Sequence, residues 1–157
     1  MSRTDRRVYT VAYCSRNLVH GSPAEVRREL QKILAASRRN NARVGVTGTL
    51  LYNAGSFAQV LEGPIDEVQR IFELIQRDPR HGEVTVIQSE FLDERQFPGW
   101  SMAFAGGGTF DGSPEASDAF EAVFAGAARG GELMLTLLHG LMVDESEWLL
   151  AGVAATA

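Results

Sequence analysis

The chain has 157 residues, 45% of them hydrophobic, and a net charge of −5. That is enough for one domain with a real core, and no run of about 18 apolar residues offers a membrane span. An acidic chain without a basic cluster argues against a nucleic-acid binder. The lone Cys14 excludes an internal disulfide and fits a reducing cytoplasm. Met1 to Arg7 is polar and lacks the apolar stretch of a signal peptide. The charge is uneven: residues 1–110 are net +2, and residues 111–157, with Arg129 their one basic group, are net −7.

Val8-Tyr9-Thr10-Val11-Ala12-Tyr13 reads as a first strand over 8–14, with Tyr9, Val11 and Tyr13 on one face and Tyr13 at its end. Cys14 points the other way and reads as a small packed side chain. Ser22-Pro23-Ala24-Glu25 starts a helix expected over 22–40: Ser22 caps, Pro23 fits the first helical position and Glu25 completes a capping box. Its apolar stripe, Val26, Leu30 and Ile33, continues into Ser37 and then Asn40 or Asn41. Hydroxyl and amide groups thus stand where the core should be. The alternative is that Asn40 and Asn41 simply end the helix, since Asn tolerates the left-handed cap.

A strand over 46–53, a tight turn at Asn53-Ala54-Gly55 and a strand over 56–62 follow. Phe57, Gln59 and Leu61 share one face of the latter, so an amide sits between two large apolar neighbours. An unpaired buried amide costs roughly 1–3 kcal/mol, so Gln59 needs a partner in the chain or on a ligand. Gly63-Pro64 opens a second helix through Arg77 with the stripe Ile65, Val68, Phe72 and Ile75, which Asp78-Pro79 stops. By itself, Asp78-Pro79-Arg80-His81 reads as a charged turn ending that helix.

Strands are expected at 83–91 and 99–105, the second placing Trp100, Met102 and Phe104 on one face. Such a stripe is more often core than cofactor site. Gly106-Gly107-Gly108 is a flexible break without the surroundings of a phosphate loop. Helices over 114–127 and 131–143, split by Gly130-Gly131, carry the stripes Phe120, Val123, Phe124 and Leu133, Leu137, Leu138, Leu141.

The element order gives an α+β fold, a ferredoxin-like βαββαββ sheet. The first and third strands lie side by side at its centre. Two helices cover one face and the C-terminal helical pair the other. Tyr13, Gln59, Ser37 and Asn41 then converge between helices and sheet, where a planar, partly polar ligand would satisfy them.

These pieces, in this order, resemble the BLUF family of blue-light sensors that use FAD. They are Tyr13 with Ser15, then Ser37, Asn40-Asn41, Thr47-Gly48, Gln59-Val60-Leu61-Glu62-Gly63, Asp78-Pro79-Arg80-His81 and Trp100-Ser101-Met102. The resemblance covers residues 7–106 and leaves 107–152 as a helical extension packed on the sheet. One departure is a longer loop around Asn17–Gly21.

The resemblance implies a blue-light photoreceptor holding FAD without a covalent bond, with FMN or riboflavin able to substitute. Asn40 and Asn41 would read the polar edge of the flavin ring, joined by Ser37. Ile33 and Phe57 would wall it, and Arg80 and His81, fixed by Asp78, would lie toward the ribityl–phosphate side. Tyr13 would donate an electron and a proton, Gln59 would act as the hydrogen-bond relay, and Trp100 and Met102 would carry the signal onward. Such a chain is not an enzyme. It is expected in the cytoplasm, as a homo-oligomer or acting on a separate effector protein, with no nucleic acid and no membrane among its partners.

Two other readings compete. A small ferredoxin-like hydrolase would use Arg16 and Asn17 after the first strand, but no Gly-rich anion cradle surrounds them. A ligand-binding regulatory domain without photochemistry would use Asn40, Asn41 and Gln59 equally well, and Tyr13 beside Gln59 favours the sensor.

Overall fold

Among the described residues, five strands and four helices follow one another as β1 (Val8–Asn17), α1 (Pro23–Arg43), β2 (Thr47–Asn53), β3 (Ser56–Gly63), α2 (Ile65–Arg77), β4 (His81–Leu92), β5 (Ala103–Ala105), α3 (Pro114–Phe124) and α4 (Gly130–Leu141). The computed structural model describes residues 7–53, 55–98, 103–105 and 114–141. Trp100 and Met102 lie outside the described residues. The strands form one sheet in the order β4-β1-β3-β2-β5. All neighbours are antiparallel except β5, which runs parallel to β2. This is the expected α+β, ferredoxin-like arrangement with β1 and β3 at the centre.

Alternation along β1 and β3 sorts the core into two layers. Val11, Tyr13, Phe57 and Leu61 pack with Leu30 and Leu34 of α1 and Val68 of α2. Ala12, Cys14, Ala58 and Val60 pack on the other side with Ala116, Ala119, Phe120 and Val123 of α3 and Met134 and Leu138 of α4. Leu133, expected in the buried stripe, is 51% exposed. The helix presents Met134 and Leu138, one turn apart, to the sheet instead.

The first helix begins as its sequence dictates. The Ser22 hydroxyl accepts from the Glu25 N–H at 3.2 Å, and the Glu25 carboxylate accepts from the Ser22 N–H. It ends three residues later than expected, at Arg43. The left-handed residue past its end is Gly45 (φ 73°), so neither Asn40 nor Asn41 is the cap. Its buried ridge also differs from the expected stripe: Val26, Leu30 and Leu34 face the core at intervals of four.

β1 likewise runs three residues past its expected end, so Tyr13 is a mid-strand residue. Arg16 pairs with Ser56 on one side and Gly82 on the other, which holds the extra turn of pleat in the sheet. β2 comes unusually close to β3 at Gly48. A Cβ there would lie 1.8 Å from the Val60 carbonyl oxygen, so only glycine fits.

Candidate functional site

The register of β1 against β3 sets Tyr13 directly opposite Gln59. Both side chains rise from the face covered by α1 and α2, and the Tyr13 O–H donates to Gln59 Oε1. Tyr13 is fully buried and Gln59 is 4% exposed. Burial, with smaller contributions from the charges of Cys14 and Asp78, pushes the phenol pKa well above its ordinary value. Tyr13 is therefore held as a neutral hydrogen-bond donor. Its ring leans on Phe72 of α2 with centroids 5.3 Å apart.

A cleft of about 420 Å³ opens between α1 and α2, in the size range of small-molecule sites. Ile33, Ser37, Asn40 and Asn41 reach it from α1, Gln59 from β3, and Asp78, Arg80 and His81 from the segment after α2. The sequence thus places eight of its candidates on one surface. Asn41 is 2% exposed, and its carbonyl accepts the N–H groups of Val44 and Val46 as the chain leaves the helix. Phe57 is the exception among the residues expected to contact the flavin. It lies fully buried behind His81, ring centroids 4.9 Å apart, and supports that ring instead of lining the cleft.

Arg80 is pinned. Its Nε donates to Asp78 Oδ1 at 2.9 Å, its Nη2 to Asp78 Oδ2 at 2.6 Å and its Nη1 to Glu29 Oε1 at 3.0 Å. These bonds hold the Asp78 carboxyl below the usual range and raise the guanidinium pKa. His81 lies with its Nδ1 3.0 Å from the Ser15 hydroxyl, and burial lowers its pKa, favouring the neutral ring.

Sequence reasoning missed Lys32, Arg43 and Arg70 on the cleft, and the apolar wall formed by Ile71 and Leu74. A signal for the wall was present. α2 is apolar at Ile65, Val68, Ile71, Phe72, Leu74 and Ile75, wider than one core stripe needs. Leu74 is 57% exposed on that excess width. The cleft thus combines amides and a hydroxyl, aliphatic walls and cationic groups. That set suits a flat ring with a polar edge and an anionic tail. Among the described residues no group of His, Cys, Asp and Glu is placed to hold a metal ion, and no helix is long and apolar enough to cross a membrane.

A family model described as sensors of blue-light using FAD matches residues 8–103. The photoactivated adenylate cyclase subunit beta of Euglena gracilis is 41% identical over 80 residues, 50% of this chain and 9% of that protein. The blue light- and temperature-regulated antirepressor BluF of Escherichia coli (strain K12) is 33% identical over 70 residues, 45% of this chain and 17% of that protein. The chain therefore matches only a small part of either relative's length. Among solved structures, the dark state of the BLUF protein BlrB superposes with a TM-score of 0.68 at 29% identity, covering 89% of this chain and 98% of the other. The BlsA ground state gives 0.66 at 25% identity, covering 84% and 87%. With the family model spanning more than half of its residues, the chain belongs to the BLUF family: it is a flavin-binding sensor of blue light whose cofactor is FAD.

Proposed function

We propose that the cleft between α1 and α2 holds FAD without a covalent bond, and that Tyr13 and Gln59 form the switch that registers light. The observation that carries this is the buried Tyr13–Gln59 hydrogen bond, with Gln59 also on the cleft surface. The donor set fits the cofactor: Ser37, Asn40 and Asn41 offer donors and acceptors to a polar ring edge, and Ile33, Ile71 and Leu74 offer apolar walls. Arg80, already neutralised by Asp78 and Glu29, acts as a fixed post on the ribityl–phosphate side together with His81.

FAD held there would supply a ring that absorbs blue light and, once excited, can accept an electron and a proton and return both to their donor. Tyr13 is the donor in the chain. Burial keeps its phenol protonated in the dark, and its hydrogen-bond partner Gln59 Oε1 gives the proton a directed path. Gln59 then rotates or tautomerises. After rotation its Nε2–H₂ faces the Tyr13 oxygen and its carbonyl faces the cleft, so donor and acceptor exchange places without a new charge in the core. Such a change biases a packed two-state element.

The chain acts as a sensor and not as an enzyme, and residues 107–152 carry its signal to a separate effector protein or to a change of oligomeric state. One relative is a cyclase subunit and another an antirepressor, so outputs within the family differ in kind. The test is a light-minus-dark absorption spectrum of the FAD-loaded chain. A small red shift that reverses in the dark is expected, and a flavin spectrum that light leaves unchanged sinks the reading.

A further inference from the structure

Glu62 lies three residues beyond Gln59 on β3 and points to the opposite face, toward α3 and α4. It is fully buried. Its Oε1 accepts the backbone N–H groups of Gln96 and Phe97, both at 2.8 Å, which ties the segment after β4 to the end of β3. The neighbouring Arg95 reinforces the tie by donating to the Glu62 carbonyl at 3.0 Å and to Thr47 Oγ1 at 2.7 Å.

The Gln96 side chain reaches two further elements. Its Nε2 donates to Gln88 Oε1 on β4 at 3.2 Å, and its Oε1 lies 2.8 Å from His139 Nε2 on α4. With Nε2 engaged by Gln88, the end facing α4 is an acceptor, so His139 Nε2 must carry a hydrogen. The Phe97 ring also stacks on the His139 ring, centroids 5.0 Å apart and planes 16° apart. One residue thus joins β3 through its backbone, β4 through its amide nitrogen and α4 through its amide oxygen.

We propose that Gln96 is the junction through which a displacement of β3 changes the docking of α4. The proposal rests on the photocycle reading above, which places the light-driven change at Gln59 on β3. The balance of bonds decides where a displacement is taken up. Two backbone N–H groups and the Arg95 guanidinium hold this segment to Glu62, whereas one side-chain hydrogen bond and the Phe97 ring stack hold it to His139. The segment therefore follows β3, and the seam opens at α4. Gln96 and His139 are positioning residues in this scheme, remote from the cleft.

The experiment uses the full chain loaded with FAD and reads two signals in one sample: the light-minus-dark absorption shift, and hydrogen exchange of the amides in 130–141 in light and in dark. In the wild type, light should speed exchange in α4. Gln96→Met keeps the length and removes both side-chain bonds. It should keep the absorption shift, exchange in the dark about fivefold faster than wild type for the loss of a neutral hydrogen bond, and gain nothing further in light. His139→Phe, which keeps the ring stack, should behave the same way. An intact absorption shift with no light response in wild-type α4, or a full light response in Gln96→Met, overturns the junction alone. A wild-type chain with no absorption shift overturns the photocycle reading, and this proposal falls with it.

Discussion

Ser15 Oγ lies 3.0 Å from His81 Nδ1, two residues along the strand from Tyr13. β1 therefore reaches the lining of the cleft twice, once through the Tyr13–Gln59 bond and once through this one. The His81 ring in turn lies edge-on to Tyr13 and tilted on Phe57. The protonation of His81 and the packing of Tyr13 are thus physically linked.

Tyr13→Phe removes the phenolic O–H and keeps the ring against Phe72. The variant should bind flavin as the wild type does and lose the reversible red shift. Gln59→Leu should also keep flavin and lose the shift, since leucine cannot exchange donor for acceptor. Either variant giving the wild-type difference spectrum under the same illumination would show that this pair is not the relay.

Asn41→Ala should weaken flavin binding more than Gln59→Leu does. Asn41 is buried at the cleft wall, and losing one such hydrogen-bonded group costs about 1–3 kcal/mol, or roughly five- to a hundredfold in Kd. Fluorescence titration of the apoprotein with FAD measures it, and equal affinities for wild type and Asn41→Ala would refute the assignment.

The His81 pKa is depressed below its reference value of 6.5, chiefly by burial. For a base depressed by folding, the unfolded chain binds the proton first, so stability is present above the unfolded pKa and is lost as pH falls. The melting temperature should decline from pH 7 to pH 5, and His81→Phe should flatten that part of the profile. Identical slopes in the two proteins between those pH values would show that His81 is not the titrating group.

Gly48→Ala should be severely destabilising, by about 3 kcal/mol or more, because the added methyl meets the Val60 carbonyl instead of a movable side chain. Urea unfolding reports it. A loss under about 1 kcal/mol would mean that β2 and β3 separate more easily than their register implies.

Cys14 is buried on the face opposite Tyr13, and burial pushes its thiol up to about 12. A disulfide reagent at pH 8 should leave the native protein unmodified and titrate one thiol after denaturation. Rapid reaction of the folded chain would show that the layer between sheet and α3 opens.

Features that depend on neighbours in sequence were legible in advance. The Ser22–Glu25 box is one, and the side-by-side placement of Tyr13 and Gln59 follows once the strand order is known. Features that depend on how helices roll onto the sheet were not. Leu34, not Ile33, takes the core position, and that rotation turns Ile33, Ser37 and Asn40 into the cleft wall. Phe57 went the other way, because His81 covers it. Side-chain contacts between residues far apart in the chain, such as Ser15 with His81 and Glu62 with the Gln96 backbone, leave no periodic trace in a sequence.

All eight residues of β3 are buried. A strand sealed on both sides and flanked on both edges has no solvent-facing direction in which to relax. Any displacement of the strand itself is confined to slight sliding along its own axis, because a slip of one full residue would turn every side chain to the wrong layer. A small sliding motion moves the side chains of both layers at once. The sheet therefore works as a shared wall: what disturbs the chamber on one side is felt in the chamber on the other without any opening between them.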